Sequence, residues 1–139
     1  MYNQILLAVD GSDHSERAAK EAVKLASGSA ESQVTIVFVA DYDNSKNEVL
    51  HSGSSMELDL KRRKKLQPIE ETLAAGDVKY KVEVLHGTPG PTIVEFANKE
   101  KFDILVIGSR GLNGLQEMVL GSVSHKVVKR ANCPVLIVK

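Results

Sequence analysis

Four of the ten glycines in this 139-residue chain fall in one segment, GSRGLNGLQEMVLGSVSHKVV, residues 108–128. The four are Gly108, Gly111, Gly114 and Gly121. Glycine lets a ligand approach the backbone closely, and exposed N–H groups in such a loop can hold an anion. Arg110 adds a fixed positive charge, and Ser122 and Ser124 add hydroxyl donors. The segment therefore indicates phosphate binding, although the glycines could also serve only tight turns.

Two common phosphate motifs do not match this spacing. The P-loop requires a Gly-Lys pair followed by Ser or Thr, and no Gly-Lys pair occurs in the chain. The dinucleotide fingerprint requires G-x-G-x-x-G near the start of a strand–turn–helix unit. Here the first spacing is wrong and the segment comes late in the chain. Any nucleotide site must therefore be of another kind.

The composition limits the class of protein. A length of 139 residues predicts one domain, residues 1–139. Lys and Arg together equal Asp and Glu, 18 of each, so no overall charge attracts nucleic acid or an anionic membrane. No apolar run approaches a membrane span or a signal peptide. The single Cys133 excludes an internal disulfide, and a cytoplasmic protein fits these features.

Hydropathy predicts alternating strands and helices. Four short runs are apolar throughout, as buried strands are, whereas residues 80–84 alternate between apolar and charged side chains. Residues 41–56 lack periodicity and are expected to form a mobile loop. The predicted strands cover residues 5–9, 34–40, 80–84, 104–107 and 135–138, and the predicted helices begin near residues 13, 57, 91 and 122.

This alternation predicts an α/β fold, a single-domain doubly wound five-stranded parallel sheet with helices on both faces. Strand two is apolar and strand three alternates, so strand three belongs at an edge and the order 3-2-1-4-5 fits better than 2-1-3-4-5. The switch point then lies between strands one and four, where ligands of open α/β sheets bind. Asp10 and Gly108 would stand there, with Asp10 suited to a ribose hydroxyl pair or to a metal ion held by phosphate.

Several local features carry narrower expectations. Asp13 and Glu16 offer a capping box for the first helix, and Pro91 suits the first position of the third. Pro68 is expected to kink or divide the second helix. The basic run 61–65 (KRRKK) is interpreted as a solvated helix face rather than a binding patch.

Over its whole length the chain resembles the universal stress protein family. The matching segments are ILLAVDGS, HGTPGPTIVEFA, DILVIGSRG, LGSV and CPVLIV. The most specific match is Gly108-x2-Gly111-x9-Gly121-Ser122, which resembles the motif of the family's ATP-binding members. The resemblance implies a five-stranded parallel sheet, ATP as the ligand, possible Mg²⁺ and a dimeric state.

Position by position, the resemblance implies distinct roles for the site residues. Asp10 would meet the ribose or a phosphate-bound Mg²⁺. Val39 would contact adenine, with Ala8 and Val9 as the floor of that pocket. The residues that would hold the ribose and phosphates are Gly108, Arg110, Gly111, Gly121, Ser122 and Val123. The hydroxyl of Ser124, which is predicted from the spacing, would also contribute.

These features favour an ATP-binding, stress-sensing module over an enzyme. Slow ATP hydrolysis or autophosphorylation, for example on Ser109 or Ser122, is the second hypothesis. A dimer that binds no nucleotide and acts through protein contacts is the third. Adenylation of a substrate ranks low, since Asp10-Gly11-Ser12-Asp13 lacks the paired glycines of a pyrophosphate loop. The protein partners and the stress are not encoded in the motifs.

The last strand predicts an assembly. In the order 3-2-1-4-5 it is an edge, and residues 135–138 carry no charge to protect it. An apolar edge of this kind is expected to pair with the same strand of a second copy. The sequence therefore predicts a homodimer through residues 134–138, closed by a two-fold axis.

Overall fold

The computed structural model describes residues 2–40, 55–110 and 121–139, and for residues 55–59 it describes the backbone alone. Strands and helices alternate through these parts of the chain. In order they are β1 (Gln4–Val9), α1 (Asp13–Ala26), β2 (Gln33–Ala40), α2 (Ser55–Ala75), β3 (Lys79–His86), α3 (Pro89–Glu100), β4 (Ile104–Gly108), α4 (Ser122–Arg130) and β5 (Val135–Val138).

The five strands form one parallel sheet in the order β3-β2-β1-β4-β5. This confirms the predicted fold class and the predicted strand order. Ile5 of β1 lies opposite Val34 on one side and Ile104 on the other. The chain leaves β1 toward β2 and β3, and then returns to the opposite side of β1 as β4. The switch point therefore lies between the carboxyl ends of β1 and β4.

Two buried cores lie on opposite faces of the sheet. In the first core, Ile5, Leu7 and Val9 pack with residues of α1 and α2. In the second core, Leu6 and Ala8, which alternate with them in sequence, pack with residues of α3 and α4. Successive side chains of a strand point to opposite faces, so a central strand covered on both sides is expected to be apolar at nearly every position. This requirement explains the continuous apolar runs of β1, β2 and β4.

The starts of two helices differ from the predictions. The N-cap of α1 is Ser12, whose Oγ accepts a hydrogen bond from the Ser15 N–H at 3.3 Å. The predicted capping box on Asp13 and Glu16 is therefore wrong by one residue, because Asp13 is already helical. In α3 the first helical residue is Pro89, two positions before the expected Pro91. A proline is tolerated at this position because its missing N–H would have no helical partner there.

Helix α2 continues through Pro68 as one helix, so the expectation that this proline divides it is wrong. Just beyond Pro68, the hydroxyl of Thr72 donates a hydrogen bond to the Pro68 carbonyl at 2.9 Å. Leu66, Ile69 and Leu73 are buried on the sheet. The packing of this apolar stripe offsets the backbone hydrogen bond that the proline removes.

The two edge strands are less buried than the central ones. In β3, Tyr80 and Val82 pack against the first core, whereas Val84 is exposed, so the predicted alternation ends before the strand does. All four residues of β5 are half-buried. The position of β5 at an edge confirms the premise of the proposed dimer. The dimer itself stays a prediction.

One polar side chain inside the sheet has a cost that can be measured. Thr35 of β2 is fully buried, and its hydroxyl has no hydrogen-bond partner among the residues that the structure describes. An unpaired buried hydroxyl costs about 1–3 kcal/mol. We expect Thr35→Val, which replaces the hydroxyl by a methyl group of similar size, to raise the free energy of unfolding by about 1 kcal/mol. Urea denaturation followed by circular dichroism measures the change.

Thr35→Ser is the matched control, because it keeps the hydroxyl and removes the methyl group. It should lower the unfolding free energy by about 1 kcal/mol. If Thr35→Val were the less stable of the two, the hydroxyl would have to be satisfied, for instance by a buried water molecule.

Candidate functional site

The site lies where β1 and β4 end side by side. Ala8 is level with Ile107 in the sheet, so the residues that follow, Asp10 and Ser109, leave neighbouring strands at the same edge. The first turn of α1 begins beside Asp10, and the first turn of α4 returns to Ser109. The structure therefore brings Asp10, Gly108 and Gly121 to one edge of the sheet, as predicted.

A hydrogen-bond network fixes the Asp10 carboxylate. Its Oδ1 accepts hydrogen bonds from the Ser12 N–H at 3.0 Å and from the Ser15 hydroxyl at 2.9 Å. The Asp10 N–H in turn donates to Ser15 Oγ at 2.9 Å. Because the turn is already ordered, a ligand that bonds to this carboxylate would lose little free energy in fixing it. Asp followed by Ser two and five positions later is a local signal for this turn that our sequence reasoning missed.

The backbone N–H and C=O groups of Ser109 join three elements. Its N–H donates to the Val138 carbonyl at 2.7 Å, at the end of β5. Its carbonyl accepts from the Gly121 N–H at 2.8 Å and from the Ser124 hydroxyl at 2.8 Å. We call the Ser109–Gly121–Ser124 hydrogen bonds the clasp. The clasp holds the two ends of the glycine-rich segment together, although Gly111 and Gly114 lie outside the described residues.

The clasp changes the expected role of Ser124. This side chain is buried, and its hydroxyl also lies 3.1 Å from the Gly121 carbonyl. Its single proton is therefore engaged with backbone oxygens. Donation from Ser124 to a phosphate stays a prediction. It would require the hydroxyl to give up its hydrogen bond to the Ser109 carbonyl.

Gly108 and Gly121 are glycines for different reasons. A Cβ on Gly108 would lie 2.6 Å from the Cβ of His14 and 3.1 Å from its backbone, so the first turn of α1 already occupies that space. Among the described residues, a Cβ on Gly121 would lie nearest to Arg110 Cα, at 3.4 Å, an ordinary contact. Gly121 also has an extended backbone, with φ −63° and ψ 159°. The packing of residues 2–40, 55–110 and 121–139 therefore requires a glycine at Gly108 but not at Gly121.

The first turn of α4 presents several of the predicted residues. Gly121 is its N-cap and makes no side-chain capping hydrogen bond. Ser122 is exposed, whereas Val123 packs against the second core. Arg110 is half-buried beside Gly121. A helix start of this kind offers backbone N–H groups and the positive end of the helix dipole.

The apolar part of the site is divided between the two sheet faces. Ala8 and Val39 both belong to the second core, on the face that α3 and α4 cover. Val9 points into the first core on the opposite face. Ala8 and Val39 can therefore line one pocket, whereas Val9 could contribute only backbone atoms to it.

The basic run 61–65 is not uniformly solvated. Lys61, Arg63 and Lys64 are exposed, as expected of a helix face. Lys65 is half-buried, and its Cβ, Cγ and Cδ atoms lie 3.2–3.4 Å from the position that a Cβ of Gly11 would take. Gly11 itself has a left-handed backbone, with φ 85°. One member of the run thus reaches the turn that carries Asp10. The loop predicted for residues 41–56 lies outside the described residues except at its last two positions, which are helical.

Metal ligands and the single cysteine also bear on the chemistry of the chain. Within residues 2–40, 55–110 and 121–139, no group of three His, Cys, Asp or Glu side chains is placed to hold a metal ion. Cys133 packs against the second core, where burial raises the pKa of its thiol above the usual value. A thiol packed in this way behaves as a small apolar side chain. No helix in the described part of the chain is long and apolar enough to cross a bilayer.

Gly108 and Gly121 provide a matched pair of substitutions. We expect Gly108→Ala to lower the free energy of unfolding by about 2 kcal/mol or more, because its methyl group must displace the first turn of α1. Gly121→Ala should cost about 1 kcal/mol or less, mainly through a weaker N-cap. Urea unfolding of both variants measures the difference. Equal losses would show that α1 can move away from Gly108 without cost.

Comparison with known proteins places these features in a family. Residues 1–139 match the model of the universal stress protein family. Universal stress protein MJ0531 of Methanocaldococcus jannaschii is 38% identical over 144 aligned positions, covering 100% of this chain and 83% of that protein. The solved structure of MJ0577, from the same organism, superposes with a TM-score of 0.84 at 32% identity, covering 100% of this chain and 96% of the other.

A third similar protein carries a ligand. The crystal structure of a universal stress protein in complex with cAMP superposes with a TM-score of 0.71 at 26% identity, covering 99% of this chain and 96% of the other. The likenesses span the whole sheet and its helices, and the matched family model runs from the first residue to the last. This chain therefore belongs to the universal stress protein family.

Proposed function

We propose that this protein binds an adenine nucleotide, ATP in the first place, at the sheet edge between β1 and β4. The observation that carries the proposal is Gly121, a glycine at a helix start that the packing of the described residues does not require. Close approach of a phosphate to the backbone would require it. The cAMP held by a relative of 26% identity supports an adenine nucleotide as the ligand.

The base would lie against the apolar part of the site. Ala8 is buried and Val39 half-buried on the same sheet face, at the ends of neighbouring strands. A purine ring buries its faces well against small apolar side chains, and backbone groups at the strand ends can bond to its edge. Val9 would take part through its backbone alone.

The phosphates would lie at the start of α4. The backbone N–H groups of Ser122 and Val123 belong to the turn whose N–H groups have no helical acceptor, and the helix dipole favours an anion there. Gly108 and Gly111 would complete the loop around them. Arg110, beside Gly121, would supply positive charge.

Asp10 would bind the sugar or a metal ion carried by the nucleotide. Its ordered carboxylate can accept hydrogen bonds from the two ribose hydroxyl groups. It is also a hard oxygen ligand of the type that Mg²⁺ uses, together with phosphate oxygens and water. Asp10 is the one protein ligand that we assign to such an ion.

We infer a binding and sensing role in the cytoplasm as part of a stress response, with protein partners that respond to the bound state. Slow ATP hydrolysis or autophosphorylation is the second candidate. It is favoured by one contact, the 3.4 Å between Ser109 Oγ and His14 Nδ1, because an imidazole can accept the proton of an attacking hydroxyl.

Calorimetric titration tests the nucleotide proposal. The protein should bind ATP more tightly than GTP, because the apolar side chains of Ala8 and Val39 offer no hydrogen-bond partners to the additional polar groups of guanine. Gly121→Val should lower ATP affinity at least about tenfold, since its side chain would occupy the space assigned to the phosphates. Its thermal midpoint should stay within a few degrees of the parent's, because the contacts of the Cβ with the described residues are ordinary ones of 3.4 Å or more. Unchanged ATP affinity in Gly121→Val would refute the assignment of the phosphate site.

We also propose a homodimer through residues 134–138. The Pro134 carbonyl accepts a hydrogen bond from the Leu105 N–H of β4, and the Val138 carbonyl accepts one from the Ser109 N–H just beyond β4. In a parallel ladder the residues between these bonds point the other way, so the backbone N–H groups of Val135 and Ile137 face the open edge of the sheet. Antiparallel pairing of two such edges would satisfy both.

Proline substitution at the edge tests the dimer. Ile137→Pro removes one outward N–H while leaving the accepting carbonyls of Pro134 and Val138 in place, so we expect it to convert the dimer to a monomer. Light scattering at micromolar concentrations, with and without ATP, gives the mass. A parent protein that is monomeric in both conditions would contradict the proposal, as would a dimer that Ile137→Pro leaves unchanged.

A further inference from the structure

The position of α2 places the basic run beside the site. The buried residues Leu66, Ile69 and Leu73 hold the second part of the helix against the sheet. The helix starts after β2 ends and finishes before β3 begins, so it runs opposite to the strands. Lys65 contacts Gly11, which lies just beyond the carboxyl end of β1. The preceding residues, 61–64, therefore continue past the carboxyl edge of the sheet by about 6 Å, at 1.5 Å per residue.

The side chain of Lys65 lies across the turn after β1. Three successive carbons, Cβ, Cγ and Cδ, lie at 3.2, 3.3 and 3.4 Å from the position of a Gly11 Cβ. The ammonium is two bonds further on, so it is within about 6.5 Å of that position. A lysine with its stem packed in this way loses little rotamer freedom when its charged end meets a partner.

A short chain of contacts connects this turn to the clasp. Gly11 leads into the first turn of α1, and His14 in that turn touches Gly108 and lies 3.4 Å from Ser109 Oγ. The Ser109 carbonyl holds the Gly121 N–H. Lys65 thus borders the same edge of the sheet from the face covered by α2, whereas Arg110 and the start of α4 approach it from the other side.

We propose that Lys65 is a specificity-determining residue of this site, which makes it favour nucleoside triphosphates over monophosphates. This inference rests on the proposed nucleotide site and extends it. The chain as a whole carries no net charge, so discrimination by phosphate number depends on groups placed locally, and a cation beside the site adds to the effect of the α4 N-terminus. The ammonium of Lys65 attracts each added phosphate charge, and it offsets the repulsion that the Asp10 carboxylate exerts on the same anion.

The expected size of the effect follows from Coulomb attraction over about 8–10 Å in a largely aqueous medium. ATP carries about two more negative charges than AMP. At about 20 mM salt, where screening extends over roughly 20 Å, removing one lysine charge should reduce the ratio of ATP to AMP affinity about threefold to fivefold. At about 0.5 M salt the change should nearly vanish.

The test compares three variants by calorimetry with ATP and AMP in magnesium-free buffer. Lys65→Met keeps an unbranched stem over Gly11 and removes only the charge. Lys64→Met removes the same charge from the neighbouring exposed position. We expect the affinity ratio to fall threefold to fivefold in Lys65→Met, to change less than about twofold in Lys64→Met, and to be restored in Lys65→Arg.

The outcomes separate this inference from the proposed function. If the parent bound neither nucleotide, the proposed function itself would fail. If the parent bound both and the ratio were the same in Lys65→Met, the nucleotide site would stand and the role of Lys65 would be refuted. A parallel loss of ATP and AMP affinity would also refute it, because that result assigns Lys65 to the turn or to the nucleoside. Equal effects of Lys64→Met and Lys65→Met would assign the selectivity to the overall charge of α2.

Discussion

The backbone of Ser109 is the point on which the site depends. Its N–H completes the ladder to β5, and its carbonyl holds the start of α4 through Gly121 and Ser124. Two of these bonds involve peptide groups that no side-chain substitution removes. The position of the α4 N-terminus relative to β1 is therefore set by the sheet itself.

The glycine motif combines two different constraints. Gly108 makes room for the first turn of α1, which approaches the end of β4 more closely than any side chain would permit. Gly121 has no such neighbour in the described part of the chain, and its side of the backbone is where we place the phosphates. A glycine of a motif with fixed spacing can therefore be required by the packing of the chain, whether or not it also lies beside the ligand. In this family member, the first glycine of the motif serves the packing of α1 on the sheet.

Much of the fold could be predicted because the hydropathy of a strand reflects whether one or both of its faces are buried. β2 is apolar on both faces and β3 is not, and this difference alone distinguished the strand order. The opposite orientations of Ala8 and Val9 could also have been predicted, since neighbouring residues of a strand point to opposite faces. The contact of Lys65 with Gly11 could not have been predicted, because it depends on the position of α2 along α1. No local pattern in either segment encodes that distance.

The adjacency of β1 and β4 has a consequence for how the chain folds. Asp103 Oδ2 accepts hydrogen bonds from the Asn3 and Gln4 N–H groups, and the Gln4–Asp103 pair is separated by 99 residues in sequence. β1 and β2, in contrast, are joined by one short helix and can pair early. Closing the longer loop costs more entropy, and long-range pairings of this kind slow folding. The edge on which the site is built therefore forms late, and a nascent chain whose β4 has not emerged from the ribosome has no such edge.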